Sequence, residues 1–89
     1  LDFIDERGNS PLLQSAKYGA LEISRALINA GANVNIKNLN RDTALIIAST
    51  EGINDLVSLL LDSNVDINAQ NNFGYTALMG AANEGHTEI

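Results

Sequence analysis

Residues 43–52 read Thr43-Ala44-Leu45-Ile46-Ile47-Ala48-Ser49-Thr50-Glu51-Gly52, and the same order of residue kinds recurs on either side of them. Thirty-three residues earlier stands Ser10-Pro11-Leu12-Leu13, closing on Gly19; 33 later stands Thr76-Ala77-Leu78-Met79, closing on Gly85. The register continues outward. Glu22, Asp55 and Glu88 match, as do Ile23, Leu56 and Ile89, while Leu27 pairs with Leu60, Val34 with Ile67 and Asn35 with Asn68. Few of these residues are identical, but apolar, small and turn-forming positions coincide at one offset. Self-similarity at a fixed period of this length marks a stacked-repeat architecture.

Each unit reads as two short helices and a turn. Ser10, Thr43 and Thr76 are placed to accept hydrogen bonds from orphan backbone N–H groups as N-caps. Pro11 then takes a first helical position, where its missing N–H costs nothing. First helices are expected over roughly 11–18, 44–51 and 77–84, each ended by a glycine that tolerates a positive φ. Second helices are expected over roughly 21–30 and 54–63. Ile23, Ala26, Leu27 and Ile28 would cluster on one broad face of the first, and Leu56, Leu59, Leu60 and Leu61 on one of the second. Gly31 and Asn64 stop them, asparagine being next best to glycine in the left-handed region. The turn-rich segments Ala32 to Asn40 and Val65 to Phe73 are expected to return as β-hairpins.

Ser10-Pro11-Leu12, Thr43-Ala44-Leu45 and Thr76-Ala77-Leu78 resemble the opening of ankyrin repeats. Gly31-Ala32-Asn33-Val34-Asn35 resembles that family's closing turn, with Asn64-Val65-Asp66-Ile67-Asn68 a variant of it, and Gly85-His86-Thr87-Glu88-Ile89 resembles its inter-helix turn. The resemblance covers about 5–89 and implies an all-α solenoid of stacked helix-turn-helix units joined by β-hairpin loops. The chain, 1–89, then forms a single domain. Residues 1–4 are the tail of a preceding unit, 5–37 the first repeat, 38–70 the second and 71–89 part of a third. Two departures stand out. Leu13, Ile46 and Met79 replace the family's common histidine with apolar packing, and Arg41 stands where Gly8 and Gly74 suggest a glycine. The third unit breaks off at Ile89, leaving Leu78, Met79 and Ile89 uncovered. Further repeats are therefore expected to follow, or two copies to stack end to end, and the isolated stretch is expected to be marginally stable, since such modules bury a core only against neighbours.

Composition narrows the function. The chain has 89 residues, eleven acidic and five basic, for a formal net charge of -6. Its basic residues (Arg7, Lys17, Arg25, Lys37 and Arg41) are scattered, whereas a nucleic-acid surface clusters them against phosphates. Neither nucleic acid nor membrane is an expected partner, and the longest apolar runs fall far short of the ~20 residues of a membrane span. There is no cysteine, which removes disulfides and thiolate metal sites and fits a cytoplasmic location. His86 is the single histidine and is read as structural. The serines lack nucleophile-elbow spacing. Asp62-Ser63-Asn64-Val65-Asp66 superficially resembles a calcium loop, but Ile67 and Phe73 stand where the loop needs glycine and a bidentate glutamate. The twelve asparagines mostly occupy turn positions. No catalytic, cofactor or metal residues are expected, and the chain reads as non-enzymatic.

The resemblance implies that hairpin tips and the exposed side of the first helices form one concave binding surface. The matching tip positions are Glu6, Arg7 and Asn9, then Leu39, Asn40 and Asp42, then Asn72, Phe73 and Tyr75. Along the helices come Lys17 and Tyr18, Thr50 and Glu51, and Asn83 and Glu84. Leu39, Phe73 and Tyr75 are the expected apolar anchors, because exposed aromatics bury much area at small entropic cost. Phe73 has the alternative of packing sideways on Leu39, and Tyr18 that of a partly buried helix residue. Glu6, Asp42, Glu51 and Glu84 favour a protein partner with basic or polar groups. The expected function is a protein–protein interaction module. The alternatives are a regulatory or substrate-docking segment of a larger enzyme, and a self-associating scaffold.

Overall fold

The structure, a computed structural model, describes residues 3–83. Its helices are α1 (Pro11–Lys17), α2 (Leu21–Asn29), α3 (Ala44–Glu51), α4 (Asn54–Leu61) and α5 (Ala77–Asn83). Ser10 and Thr43 cap α1 and α3 by accepting from the N–H groups of Leu13 and Ile46 at 3.3 and 3.2 Å. Thr76 does the same for Met79 at 3.3 Å. Gly19 and Gly52 lie at φ 67° and 73° after α1 and α3, which turns the chain sharply into the second helix of each pair. α2 ends in a Schellman arrangement: the N–H of Ala32 donates to Leu27 and that of Gly31 to Ile28, both at 3.0 Å, with Gly31 at φ 94°. Asn64 takes the corresponding left-handed position after α4, at φ 61°.

The first helices α1, α3 and α5 pack side by side as one layer, and α2 and α4 lie behind α1 and α3 as a second. Leu12, Leu13, Leu45, Ile46, Leu56, Val57 and Leu60 form a continuous buried core, with Leu27, Ile28 and Leu59 partly buried against it. Burial follows the stack and not the side chain alone. Leu12 and Leu45 are 1% and 2% exposed, whereas Leu78, their counterpart in the third unit, is 60% exposed. At the opposite end Ile23 is 58% exposed while Leu56, at the same place in the second unit, is sealed off. The apolar face expected for α2 is thus narrower than drawn: Ile23 and Ala26 are exposed, because no described unit lies on that side. Leu78 and Met79 are uncovered as expected; Ile89 lies outside the described residues.

Inside the helix pairs the two complete units solve one contact differently. Ser15 and Ser24, both buried, share a 2.7 Å hydrogen bond across α1 and α2. The equivalent residues on α3 and α4 are Ala48 and Val57, also buried. A polar pair thus occupies in one repeat what an apolar pair fills in the next, consistent with a satisfied buried pair being exchangeable with apolar groups of similar shape.

The connecting loops depart from the sequence expectation. Among the described residues there is no strand; the hairpins are tight fingers at 5–9, 38–42 and 71–75. Each is closed by one backbone bond between its ends: Asp5 N–H to Asn9, Asn38 N–H to Asp42 and Asn71 N–H to Tyr75. Inside each, a turn bond runs from the N–H of Gly8, Arg41 or Gly74 to the carbonyl of Asp5, Asn38 or Asn71, and side-chain oxygens accept from two further N–H groups. Arg41 sits at the left-handed turn position with φ 62°, beside 79° and 75° for Gly8 and Gly74. The second finger therefore keeps the same shape and places a Cβ where only glycine is unstrained.

Two stability predictions follow from burial and backbone. Leu60→Ala should cost about 2–5 kcal/mol in urea unfolding and Ile23→Ala well under 1, because only the first leaves a cavity; equal costs would refute the stacked core. Arg41→Gly should raise the unfolding free energy by about 1 kcal/mol by relieving the left-handed strain. A lowered midpoint would show that the arginine side chain holds the finger.

Candidate functional site

The three fingers are built and joined by one recurring side-chain device. Asp5, Asn38 and Asn71 stand 33 residues apart, and each turns its side-chain oxygen back into its own loop. Asp5 Oδ1 accepts from the N–H groups of Arg7 and Asn9 at 2.8 and 2.9 Å. Asn38 Oδ1 accepts from Asn40 and Asp42 at 2.9 and 3.0 Å, and Asn71 Oδ1 from Phe73 and Tyr75 at 2.9 and 3.1 Å. The amide nitrogens then reach the preceding finger: Asn38 Nδ2 donates to Asn9 Oδ1 at 2.9 Å, and Asn71 Nδ2 to Asp42 Oδ1 at 3.0 Å. Backbone bonds run in parallel, from Leu39 N–H to Arg7 O and from Asn72 N–H to Asn40 O, both at 2.9 Å.

This ladder decides which finger side chains share a surface. A groove of about 400 Å³ runs along the fingers and the first-helix layer, lined by Arg7, Asn9 and Lys17, then Asn38, Asn40, Asp42, Ile46, Ile47, Thr50 and Glu51, then Asn71, Phe73 and Tyr75. The same turn positions line it in each finger, 7 and 9 in the first, 38, 40 and 42 in the second, and 71, 73 and 75 in the third. Glu6, Leu39 and Asn72, at the matching first corner of each turn, do not line it. Leu39 is 70% exposed but is not among the residues that line the groove with the aromatic pair. Phe73 and Tyr75 are 81% and 43% exposed, with ring centroids 6.5 Å apart and planes at 54°. Phe73 therefore does not pack sideways on Leu39. Tyr18 is exposed, not partly buried, and lines an adjoining hollow of about 440 Å³ with Asp5, Arg7, Asn9, Gln14 and Lys17. The Lys17 ammonium lies 5.6 Å from its ring centroid. Asn83 closes α5, and Glu84 and His86 lie outside the described residues.

Sequence reasoning missed Asn38 and Asn71, which it took for turn formers, and did not single out Ile47; Ile46, expected as apolar packing, is buried in the core and also borders the groove. The asparagines carried a signal in their spacing with Asp5. Ile47 carried none, since α3 is apolar from Ala44 to Ala48.

Among the described residues no group of histidines and carboxylates converges as a metal site requires. In the segment resembling a calcium loop, Ser63 Oγ donates to Leu59 O at 2.7 Å and Asp66 Oδ1 accepts from Asn68 N–H at 3.1 Å, which are local turn bonds. What the surface offers is an open, mixed-charge trough with an aromatic pair at one end.

The sequence family of ankyrin repeats (three copies) matches residues 1–71. The chain belongs to the ankyrin-repeat family. Among relatives, it is 38% identical over 80% of its length to the ankyrin repeat and KH domain-containing protein mask of Drosophila melanogaster. It is 36% identical over 86% of its length to the E3 ubiquitin-protein ligase KEG of Arabidopsis thaliana, and 29% over 97% to the glycerophosphocholine phosphodiesterase gde1 of Schizosaccharomyces pombe. The chain spans only 2%, 5% and 8% of those proteins' own lengths. Ankyrin repeats are in general protein-interaction modules, and no helix among the described residues is long and apolar enough to cross a membrane.

One titration is set by the ladder. The Asn9 N–H does most to hold the Asp5 carboxyl below its ordinary value of 3.8; the Arg7 N–H and the Gln14 amide, whose Nε2 lies 3.1 Å from Oδ2, act in the same direction against partial desolvation. A depressed folded-state pKa stabilises the fold above the ordinary value, and that contribution is lost as pH falls through the folded one. Asp5→Asn keeps the accepting oxygen, as Asn38 and Asn71 do, and removes the charge. Between about pH 6 and about pH 3 the melting temperature of the Asn variant should fall less than that of the native chain; parallel falls would show that the carboxylate adds nothing.

Proposed function

We propose that this ankyrin-repeat segment is a non-enzymatic recognition module that binds a protein partner in the groove of its fingers and first helices. The observation that carries the reading is the pair Phe73 and Tyr75: two aromatic rings in tilted contact at the groove's edge, one of them 81% exposed. A backbone closed by Asn71 Oδ1 at both residues holds them there, and rigid aromatic anchors carry a large share of interface energy. Nothing in the core needs either ring, so the framework leaves both free to suit a partner. Lys17, Thr50 and Glu51 on the first helices would form the groove's floor and wall.

The other reading is that the segment docks substrates or regulators for a larger enzyme. What favours it is the company of its relatives, which include proteins named as an E3 ubiquitin-protein ligase, a phosphodiesterase and a serine/threonine-protein kinase. The groove would serve that role by the same contacts, and a catalytic domain in the same reading frame would decide for it.

Replacing Phe73 or Tyr75 by Ala should weaken binding to a purified partner by about 2 kcal/mol or more for each true anchor, with the helical circular dichroism unchanged. Retained affinity in both folded variants would remove the site.

A further inference from the structure

The groove is not uniform along the stack. At the first finger its charged side chains are Arg7 and Lys17, at the second Asp42 and Glu51, and at the third the charges give way to Phe73 and Tyr75. Although both signs line one trough, these groups form no ion pair with one another among the described residues. Asp42 commits one oxygen to Asn71 and leaves the second open. The neighbouring Asp5 commits Oδ1 to backbone N–H groups and Oδ2 to Gln14, not to the Arg7 guanidinium.

We propose that the groove takes an extended peptide segment presenting an acidic, then a basic, then an aromatic or large aliphatic side chain, spaced about three residues apart from the first finger to the third. The spacing comes from two lengths. Helices of neighbouring repeats pack about 8–10 Å apart, and an extended chain advances about 3.3 Å per residue, so each repeat meets every third residue or so. The order comes from complementarity: the acidic side chain faces Arg7 and Lys17, the basic one Asp42 and Glu51, and the apolar one the aromatic pair. Either chain direction satisfies the contacts. Exchanging the acidic and basic side chains sets like charges against each other at two fingers at once, which suppresses wrong partners and wrong registers.

The inference rests on the groove reading above, and one experiment separates the two. A phage-displayed library of random peptides of about twelve residues, long enough to cross three repeats, is selected against the full chain at low salt. Enriched peptides are then titrated against the native protein, Phe73→Ala and the charge-reversed Arg7→Glu/Lys17→Glu, whose exposed positions leave the core untouched. The expected result is a consensus of acidic, basic and apolar residues at the stated spacing, with affinity lost at least about tenfold on the charge reversal. Reselection against that variant should replace the acidic residue with a basic one. Peptides that need Phe73 but show no such order, or that ignore the reversal, overturn this inference and leave the groove reading standing. Enrichment with no dependence on Phe73, or no enrichment at all, overturns both.

Discussion

Leu56 is sealed from solvent, while Ile23, in the same place one repeat earlier, is mostly exposed. The two side chains differ little in apolar content; what differs is whether another repeat lies against them. A unit of two short helices cannot close its own core, and α1 and α3, at seven and eight residues, are too short to persist in water alone. Burial between neighbours is what makes the helices stable, and the remaining geometry is a consequence. The layer of α1, α3 and α5 has to form because Leu12, Leu45 and Ala77 have no other way to leave water.

The fingers are held by a different force. They bury little, yet three successive loops adopt one shape, because Asp5, Asn38 and Asn71 supply the acceptors that a strand ladder would otherwise supply. An amide does this and has a nitrogen left over, which Asn38 and Asn71 spend on the preceding finger. Asp5, without that nitrogen, takes the Gln14 amide on its second oxygen instead. Apolar packing thus sets the repeat spacing, polar bonds set the finger shape, and the outward side chains are left outside both tasks. Arg41 shows the tolerance of the arrangement: it accepts a left-handed backbone, and the finger keeps its form.

The sequence made the helices legible because caps, stops and apolar positions recur at one offset, so each unit corroborates the others. Its account of the surface was less complete, for local reasons. Leu39 stands next to groove residues in sequence, but it takes the first corner of the turn 38–41 and does not line the groove, while Asn40 and Asp42 do. Which residues of a finger share a surface appears only once the turn is placed to the residue. The bond from Asn71 to Asp42 crosses 29 positions, and nothing in either neighbourhood announces it. The expected hairpin strands failed for a related reason: asparagine spacing marks a turn, and a five-residue turn closed by its own backbone bonds and side-chain acceptors leaves no room for a ladder.

Magnitude separates the tasks of the groove's side chains. Ion pairs at an open, hydrated rim contribute about 0–1 kcal/mol each and are screened by salt, so Arg7, Lys17, Asp42 and Glu51 are poor sources of affinity. Aromatic anchors contribute about 2 kcal/mol or more when a partner covers them. In the proposed complex the strength would come from Phe73 and Tyr75 at the third finger, and the register from the charges at the first two. A ligand offering only an apolar side chain would then bind without being placed, and one offering only charges would be placed without being held. Recognition in that complex would need both ends of the trough engaged at once, and so fingers that keep their spacing. The stacked leucines and the asparagine ladder beneath supply that rigidity.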